Sequence, residues 1–160
     1  MIRFEKITFD NYDECIALDP GIEGRKLVAP NVNSLAISSV AKENNVCIPM
    51  RYAIYADEVM VGFIVMSFLG KDLDNDEDEN VYDIWRFMID EKFQGKGYGR
   101  ESLVKAIEFI KTFPYGPARS LILSYQPGNN VGSNLYKSVG FKETGEVEDS
   151  EIVMSLDLTK

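Results

Sequence analysis

The spacing of apolar residues along the chain predicts both β-strands and α-helices. Ile2–Thr8 alternates apolar and polar residues, which is typical of a strand with one buried face. Val59–Phe68 is a long apolar segment that follows a tight Asp-Glu turn, so it predicts the second strand of a hairpin. In Arg100–Lys111, four aliphatic residues recur on one helical face. The chain therefore contains both the two-residue period of strands and the 3.6-residue period of helices.

The same patterns, extended to the whole chain, predict a single domain over residues 1–160. The predicted strands are Ile2–Thr8, Arg51–Ala56, Val59–Phe68, Val81–Ile89, Ser120–Tyr125, Phe141–Val147 and Ile152–Leu158. The predicted helices are a short one capped by Asp10 and ending near Leu18, one that opens at Asn31 or Asn33, Arg100–Lys111, and Val131–Val139. The apolar positions of the second helix include Val32 and Val40. The order β-α-α-β-β-β-α-β-α-β-β implies an α/β fold with a mixed sheet and helices on its faces.

The charge balance excludes several classes of function. The chain has 17 Lys and Arg against 26 Asp and Glu, a formal charge of −9, and it contains no histidine. Because so acidic a surface repels a phosphate backbone, we predict no nucleic-acid partner. Without histidine, the Ser-His-Asp triad and the usual zinc sites are excluded, and we predict no metal. Proton transfer then falls to carboxylates, Tyr, Cys, Lys or water.

The sequence also bears on where the protein works. Met1–Lys6 lacks the apolar segment of a signal peptide. The longest apolar run, Val59–Leu69, is far shorter than the roughly 20 residues that a helix needs to span a bilayer. Cys15 and Cys47 lie in unrelated contexts, and we expect free, buried thiols. We therefore expect a cytoplasmic protein without a membrane partner.

A glycine-rich segment between a predicted strand and a predicted helix is the sharpest local signal. Its residues are Gln94, Gly95, Lys96, Gly97, Tyr98 and Gly99, followed by Arg100. Glycines let the backbone approach an anion closely, and the unpaired N–H groups at a helix start attract phosphate. The spacing differs from both the dinucleotide-binding and the NTPase fingerprints. The segment therefore predicts a phosphate site of another kind.

This segment resembles the pyrophosphate loop of the GCN5-related N-acetyltransferase (GNAT) superfamily, Gln/Arg-x-x-Gly-x-Gly/Ala. Gln94, Gly97 and Gly99 occupy its defining positions. A second block, Asn129 with Leu135-Tyr136 and Gly140-Phe141, is similar to that family's Asn…Leu-Tyr…Gly-Phe pattern. The two blocks lie about 35 residues apart, as in the family, and the predicted element order is also that of the family. The resemblance implies a GNAT fold, with about seven strands and about four helices, and acetyl-CoA as the cosubstrate.

The resemblance also implies roles for particular residues around the cosubstrate. Acetyl-CoA would lie where Val81–Ile89 and Ser120–Tyr125 separate. The backbone of Phe87, Met88 and Ile89 would bind its pantetheine arm in the manner of an added strand. The N–H groups from Gly95 to Arg100 would hold the pyrophosphate. Asn129 would contact the cosubstrate, cap the following helix, or do both.

The proton transfers are assigned by the same resemblance. Tyr136 would be the general acid that protonates the departing thiolate, the other reading being an aromatic ring packed on the sheet. Asp83 is the first candidate for the general base, and strand alternation places it on one face with Trp85 and Phe87. Glu148, Asp149, Glu151 and a chain of water molecules remain alternatives for the base.

Acidic segments suggest the amine acceptor. Six acids fall within Asp72–Glu79, and a second group comprises Glu146, Glu148, Asp149 and Glu151. Negative patches beside the cleft would concentrate a polycation, and Tyr82 and Trp85 could offer aromatic faces to it. Short strings around Ile84–Asp90, Leu123–Tyr125 and Glu151–Met154 are similar to bacterial spermine/spermidine acetyltransferases.

The substrate prediction is thus a small cationic amine, in particular a polyamine. A protein or peptide acceptor and a non-catalytic acyl-CoA-binding module are the alternatives. Because members of the family often dimerise, a homodimer is a further expectation from the resemblance.

Overall fold

Seven strands and five α-helices make up the computed structural model, which describes residues 1–70 and 79–160. The strands are β1 Ile2–Lys6, β2 Ile48–Ala56, β3 Val59–Leu69, β4 Val81–Ile89, β5 Ser120–Tyr125, β6 Lys142–Glu148 and β7 Glu151–Asp157. The helices are α1 Tyr12–Ala17, α2 Gly21–Gly24, α3 Asn31–Glu43, α4 Tyr98–Ile110 and α5 Asn130–Ser138, and Glu91–Phe93 forms a 3-10 turn. In the described residues, no helix has both the length and the apolar character needed to cross a membrane.

All strands join one sheet in the order β1-β2-β3-β4-β5-β7-β6. Of these neighbours, only β4 and β5 run parallel, and their pairing extends over three residue pairs, from Val81 with Ser120 to Asp83 with Ile122. Beyond Asp83 the two strands separate, while β4 stays paired with β3 and β5 with β7. The predicted mixed sheet is confirmed, and its centre contains a wedge between two parallel strands.

The two faces of the sheet bury separate cores. On one face, the side chains of α4, such as Leu103 and Ile110, pack with Ile64 and Tyr82 of the sheet. On the other, Cys15 of α1 packs with Phe63. Since successive residues of a strand point to opposite faces, helices on both sides of the sheet are needed to cover it.

A β-bulge in β4 breaks this alternation at the wedge. Val65 of β3 pairs with Arg86 and Met66 pairs with Ile84, so Trp85 has no partner on β3. Trp85 packs against the second core, whereas Phe87 packs against the first. The expectation that Phe87 shares a face with Trp85 and Asp83 is therefore wrong, because the inserted residue reverses the alternation.

The N-terminal helices differ from their predictions in detail. Asp10 does not cap α1; Asn11 occupies the N-cap position, and its side chain accepts from the Thr8 N–H (2.8 Å) and donates to the Lys6 carbonyl (3.0 Å). The four-residue helix α2 was not predicted. In α3, Val32 and Val40 are exposed. The buried positions of α3 carry the small polar residues Asn31, Ser34 and Ser38.

Two further expectations, on the cysteines and on the acidic segment, are tested or confirmed only in part. Cys15 is buried and free as predicted, whereas Cys47, also free, is only partly buried. Of the acidic segment Asp72–Glu79, all but its last residue lies outside the described residues. Glu79 forms an ion pair with Arg119 at 3.5 Å.

Candidate active site

The separation of β4 and β5 opens a cleft at the centre of the sheet. Its walls come from β4, β5, the start of α5 and the end of the β6–β7 hairpin. The wall residues that matter for chemistry are Trp85, Arg86, Phe87, Ser124, Asn129, Tyr136 and Glu151. Leu27 and Val28, between α2 and α3, close one side of the cleft, although nothing in the sequence pattern marked them.

The cleft exposes one backbone edge of β4. Phe87, Met88 and Ile89 pair on their other edge with Ile64, Phe63 and Gly62 of β3. A Cβ atom at Gly62 would stand 2.4 Å from the Met88 carbonyl oxygen, so glycine lets β3 lie close to this segment. The unpaired N–H and C=O groups along the free edge can receive an extended chain.

The glycine-rich loop leads from this edge into α4. Gly97 is the N-cap and has φ 85°, and Gly95 has φ 73°, both in the left-handed region that favours glycine. The first N–H groups of α4 lack intrahelical partners and carry partial positive charge, so they can bind an anion. The Lys96 ammonium lies 5.4 Å from the centre of the Phe93 ring and adds positive charge to the exposed loop.

The side chain of Gln94 stabilises the start of the loop through two hydrogen bonds. Its Nε2 donates to the Ile89 carbonyl at 2.8 Å and to the Pro20 carbonyl at 3.2 Å. The side chain therefore ties the end of β4 to the segment before α2. The side chain of this motif residue therefore has a structural role. If Gln94 contacts a pyrophosphate, it does so through its backbone.

Asn129 caps α5. Its side-chain oxygen accepts from the Gly132 N–H at 3.0 Å. Of the two roles that the sequence left open, capping is present in the structure. The residue also lines the cleft, so contact with a cosubstrate remains compatible with the cap.

Tyr136 projects from α5 into the cleft beside β5. Its ring centre lies 6.4 Å from that of Tyr125 and 6.3 Å from that of Phe141. Among the described residues, its hydroxyl group has no hydrogen-bond partner. Burial first, and then the negative charge of Glu151, raises the pKa of Tyr136 to about 12. The phenol is therefore protonated near pH 7, as a proton donor must be.

Asp83 lies where the pairing of β4 with β5 ends. The Ser67 hydroxyl of β3 donates to its Oδ1 at 2.5 Å. The pKa of Asp83 is raised to about 6, chiefly by burial and to a small extent by the charge of Glu148, against the lowering effects of hydrogen bonds from Ser67 and the charge of Arg86. At neutral pH the carboxylate is ionised yet accepts a proton more readily than an ordinary aspartate.

Trp85 and Arg86 occupy the bulge beside the cleft. The Arg86 guanidinium lies 5.9 Å from the centre of the Trp85 ring, and its Nη1 donates to the Trp85 carbonyl at 2.9 Å. The buried Arg86 Nε has no hydrogen-bond partner in the described part of the chain. The sequence analysis did not single out Arg86, although a cation in the middle of a buried strand is itself an unusual signal.

Tyr82 does not belong to the site. Its side chain is fully buried in the first core, where its hydroxyl donates to the Gly116 carbonyl (2.9 Å) and accepts from the Tyr115 N–H (3.1 Å). The prediction that Tyr82 offers a face to the substrate is wrong, because this face of β4 packs under α4. Tyr82 and Ile84 are two positions apart and so lie on one face of the strand, and this apolar pattern already indicated a buried face.

The hairpin between β6 and β7 brings carboxylates to the cleft. Its turn residues Asp149 and Ser150 have φ 48° and 67°, and Glu148 pairs with Glu151 across the turn. Glu151 accepts a hydrogen bond from the Ser124 hydroxyl at the cleft wall. Glu148 and Asp149 are exposed, and Glu148 is close enough to act on the pKa of Asp83.

Comparison with known proteins identifies the family. Residues 31–141 match the family model described as Acetyltransferase (GNAT) family. The chain belongs to the GNAT family. A spermine/spermidine N(1)-acetyltransferase of Bacillus subtilis is 31% identical over 108 residues, which are 66% of this chain and 68% of that protein. An N-acetylaspartate synthetase of Danio rerio is 32% identical over 73 residues, 46% of this chain but 25% of that protein.

A solved GNAT structure shares the fold. The PaiA N-acetyltransferase of Thermoplasma acidophilum, in complex with coenzyme A, matches with a TM-score of 0.67 at 16% identity. The match covers 98% of this chain and 99% of that one. As a GNAT protein, this chain is an acetyltransferase that uses acetyl-CoA. The free edge of β4 and the N–H groups of the glycine-rich loop fit an extended arm that ends in a pyrophosphate.

Proposed function

We propose that this GNAT protein transfers the acetyl group of acetyl-CoA directly to a primary amine of a polyamine such as spermidine or spermine. The carboxylates at the cleft carry the proposal. Glu151 lines the cleft, Glu148 and Asp149 stand beside it on the hairpin turn, and Asp83 directly precedes Ile84, a cleft-lining residue of β4. Several negative charges at this spacing suit a substrate with more than one ammonium group. The name of the Bacillus subtilis relative agrees with this acceptor.

Within the proposal, the cosubstrate is held by backbone groups. Backbone groups on the free edge of Phe87–Ile89 bind its arm, while the Met88 carbonyl faces β3, and the N–H groups from Gly95 to Arg100 bind its pyrophosphate. The side chains of Lys96 and Arg100 add positive charge there, in a chain that is otherwise acidic. Asn129 contacts the cosubstrate while it caps α5.

The chemistry needs one base and one acid. Asp83 takes a proton from the substrate ammonium, and the freed amine nitrogen attacks the thioester carbonyl carbon. A C–N bond forms, the C–S bond breaks, and the acylated nitrogen releases its second proton to water. Tyr136 donates its proton to the departing sulfur, and solvent returns a proton to the phenol. Trp85 and Glu151 line the path along which the amine reaches the carbonyl carbon.

An assay of thiol release with acetyl-CoA and a panel of amines tests the acceptor. The panel contains spermidine, spermine, putrescine, aspartate and a basic peptide with a free N-terminus. We expect kcat/KM for spermidine or spermine to exceed that for aspartate and for the peptide by at least about tenfold. A preference for the peptide would establish the protein-acetyltransferase alternative, and release with none of them would favour a non-catalytic acyl-CoA-binding module.

Arg86 favours a second candidate, an amine that also carries a carboxylate. Its guanidinium lines the cleft, and its Nε lacks a partner within the described residues. An arginine in such a place can bind a carboxylate. One relative is named for the synthesis of N-acetylaspartate, although the match spans a quarter of it. If this candidate is right, Arg86→Gln abolishes aspartate turnover, whereas for a polyamine the same change leaves KM equal or lower.

A further inference from the structure

Ser67 is a buried polar residue in an otherwise apolar strand. It belongs to β3, lies directly opposite Asp83 of β4, and is 1% exposed between Met66 and Phe68. Its hydroxyl donates to Asp83 Oδ1 at 2.5 Å. A buried hydroxyl in a central strand costs stability unless it is hydrogen-bonded, and here the carboxylate is its partner.

The hydrogen bond uses one of the two oxygens of the carboxylate. Ser67 supplies both its side chain and its backbone to Asp83, and both contacts favour the ionised form. Within the described residues, the side chain of Asp83 has no hydrogen-bond partner other than Ser67. The contacts from Ser67 leave acceptor capacity on the carboxylate for a further donor, and Asp83 directly precedes Ile84 of the cleft wall.

The other charged and titratable groups around Asp83 come from three elements. Arg86 on β4 stabilises its negative charge, and Glu148 on β6 opposes it. The third group is the Cys47 thiol, just before β2. Burial raises the pKa of Cys47 above its ordinary value, so the thiol remains neutral near pH 7. A hydrogen bond with Ser67 and the charge of Arg51 lower the pKa of this thiol, whereas the charge of Asp83 raises it. Within this set, the Ser67 hydroxyl is the neutral donor that points at the carboxylate.

We propose that Ser67 is a positioning residue, whose hydroxyl fixes Asp83 Oδ1 and turns the second oxygen toward the substrate ammonium. The inference rests on the proposed function, in which Asp83 is the general base. It adds a role for β3, a strand that none of the family motifs in this sequence includes. It also explains why a hydroxyl stands in the middle of a buried apolar strand.

Removing the hydroxyl should shift the pH dependence rather than scale the rate. In Ser67→Ala the ionised carboxylate loses a hydrogen bond, so its pKa rises and the acidic limb of kcat/KM moves upward by about one pH unit. Relative to the wild type, the loss is then about tenfold at pH 5 and less than about twofold above pH 8. Ser67→Thr keeps the hydroxyl and should restore the limb.

The experiment combines pH–rate profiles with a direct titration of Asp83. Profiles with saturating acetyl-CoA are recorded for the wild type, Ser67→Ala, Ser67→Thr, Asp83→Asn and the Ser67→Ala/Asp83→Asn double variant. The Asp83 carboxyl carbon is titrated by 13C NMR in the wild type and in Ser67→Ala, with Asp83→Asn used to assign the signal. Ser34→Ala is the matched control, because Ser34 is also buried and its hydroxyl has no partner within the described residues. Thermal unfolding of each variant verifies that it folds.

The outcomes separate the two claims. We expect Ser67→Ala to raise both the pKa of Asp83 measured by NMR and the pKa of the acidic limb of kcat/KM. Ser34→Ala should change neither value. In the Asp83→Asn background, Ser67→Ala should have no further effect on the rate. An unmoved titration and limb in Ser67→Ala overturn the role of Ser67. If the limb persists in Asp83→Asn, Asp83 is not the base and the positioning role fails with it, whatever Ser67 does to the titration.

Discussion

Two side chains of the cleft, Tyr136 and Asp83, depend on burial for their protonation states. Burial raises the pKa of both, to about 12 for Tyr136 and about 6 for Asp83. The same physical cause therefore has opposite uses. It keeps the phenol protonated as an acid, and it makes the carboxylate a stronger base, because withdrawal from water disfavours the charged form of each group.

Tyr136→Phe should retain the fold and lose the reaction. Its hydroxyl has no hydrogen-bond partner among the described residues, so the free energy of unfolding should change by less than about 0.5 kcal/mol. Loss of the proton donor should lower kcat by about 100-fold or more. Tyr52→Phe is a control, because Tyr52 is another half-buried tyrosine that packs away from the cleft on Phe4 and Phe109. Turnover that is unchanged in Tyr136→Phe would remove the phenol from the mechanism.

Asp83→Asn should keep only a small residual activity but be more stable than the wild type. The folded-state pKa of about 6 exceeds the ordinary value of 3.8, so the buried carboxylate destabilises the fold once it ionises. The penalty grows as pH rises from about 4 to 6 and is constant above, where it reaches at most about 3 kcal/mol. Urea unfolding of both proteins at pH 7.5 measures it. Equal or lower stability of Asp83→Asn at that pH would contradict a net cost of burying the charged carboxylate.

At the scale of elements, the bulge in β4 and the loop before α4 form the side of the site that we propose for the cosubstrate. The bulge at Trp85 turns Phe87 toward the first core, and β4 continues past the last pair with β5. Its free edge then leads directly into the loop, where Gly97 begins α4. One continuous segment therefore presents first an open strand edge and then a helix N-terminus.

Gly97→Ala tests the loop. A Cβ atom there meets no atom within 4 Å, so the cost comes from the backbone at φ 85° and should be about 1 kcal/mol of stability. We expect KM for acetyl-CoA to rise several-fold while KM for the amine changes little. Gly145→Ala in β6 is the matched control, since Gly145 has φ 88° and equally open surroundings. It should lose similar stability without a change in KM for acetyl-CoA; equal KM effects in both variants would speak against a role for the loop.

The sequence predicted elements well where local patterns decide them. Val81–Ile89 and Ser120–Tyr125 have the predicted bounds, because each is an apolar run with polar or turn residues at its ends. The bulge at Trp85 could not be predicted, since it depends on the register between β4 and β3. The position of Asn11, rather than Asp10, at the N-cap of α1 was missed for a related reason, because its amide bonds to the end of β1 and not to the helix.

The site was predictable to the extent that motifs mark it. Tyr136, Asn129 and the glycine-rich loop follow from two short blocks; the structure brings Tyr136 and Asn129 to one cleft, and the loop follows the strand that forms a wall of that cleft. Ser67 was missed, because its contact with Asp83 joins residues 16 positions apart and no local pattern requires it. Leu27 and Val28 were missed likewise, because only the path of the chain between α2 and α3 brings them to the cleft.

At the scale of the whole molecule, the distribution of charge matters more than its sum. The formal charge is −9, but the argument for a cationic substrate rests on where carboxylates meet the cleft. Glu148, Asp149 and Glu151 lie together on one hairpin. Exposed charges act over about 8 Å at physiological ionic strength, so distant acids contribute little to binding.

Neutralising the hairpin should weaken substrate binding selectively. The triple variant Glu148→Gln/Asp149→Asn/Glu151→Gln should raise KM for spermidine about tenfold or more and flatten its dependence on salt, with KM for acetyl-CoA nearly unchanged. A control variant neutralises the exposed Glu43, Glu58 and Glu108, which changes the net charge equally. Equal effects of the two triple variants on KM for spermidine would show that the net charge of the protein, and not the hairpin, determines spermidine binding.

The central claim is the transfer of acetyl from acetyl-CoA to a polyamine, and the most direct measurement is of the product itself. The protein is incubated with acetyl-CoA and spermidine, and free CoA and acetylated spermidine are quantified together by mass spectrometry. The account predicts that both appear in equal amounts, at a rate that Tyr136→Phe reduces about 100-fold. CoA without acetylated spermidine, or acetylation of aspartate in its place, would contradict it.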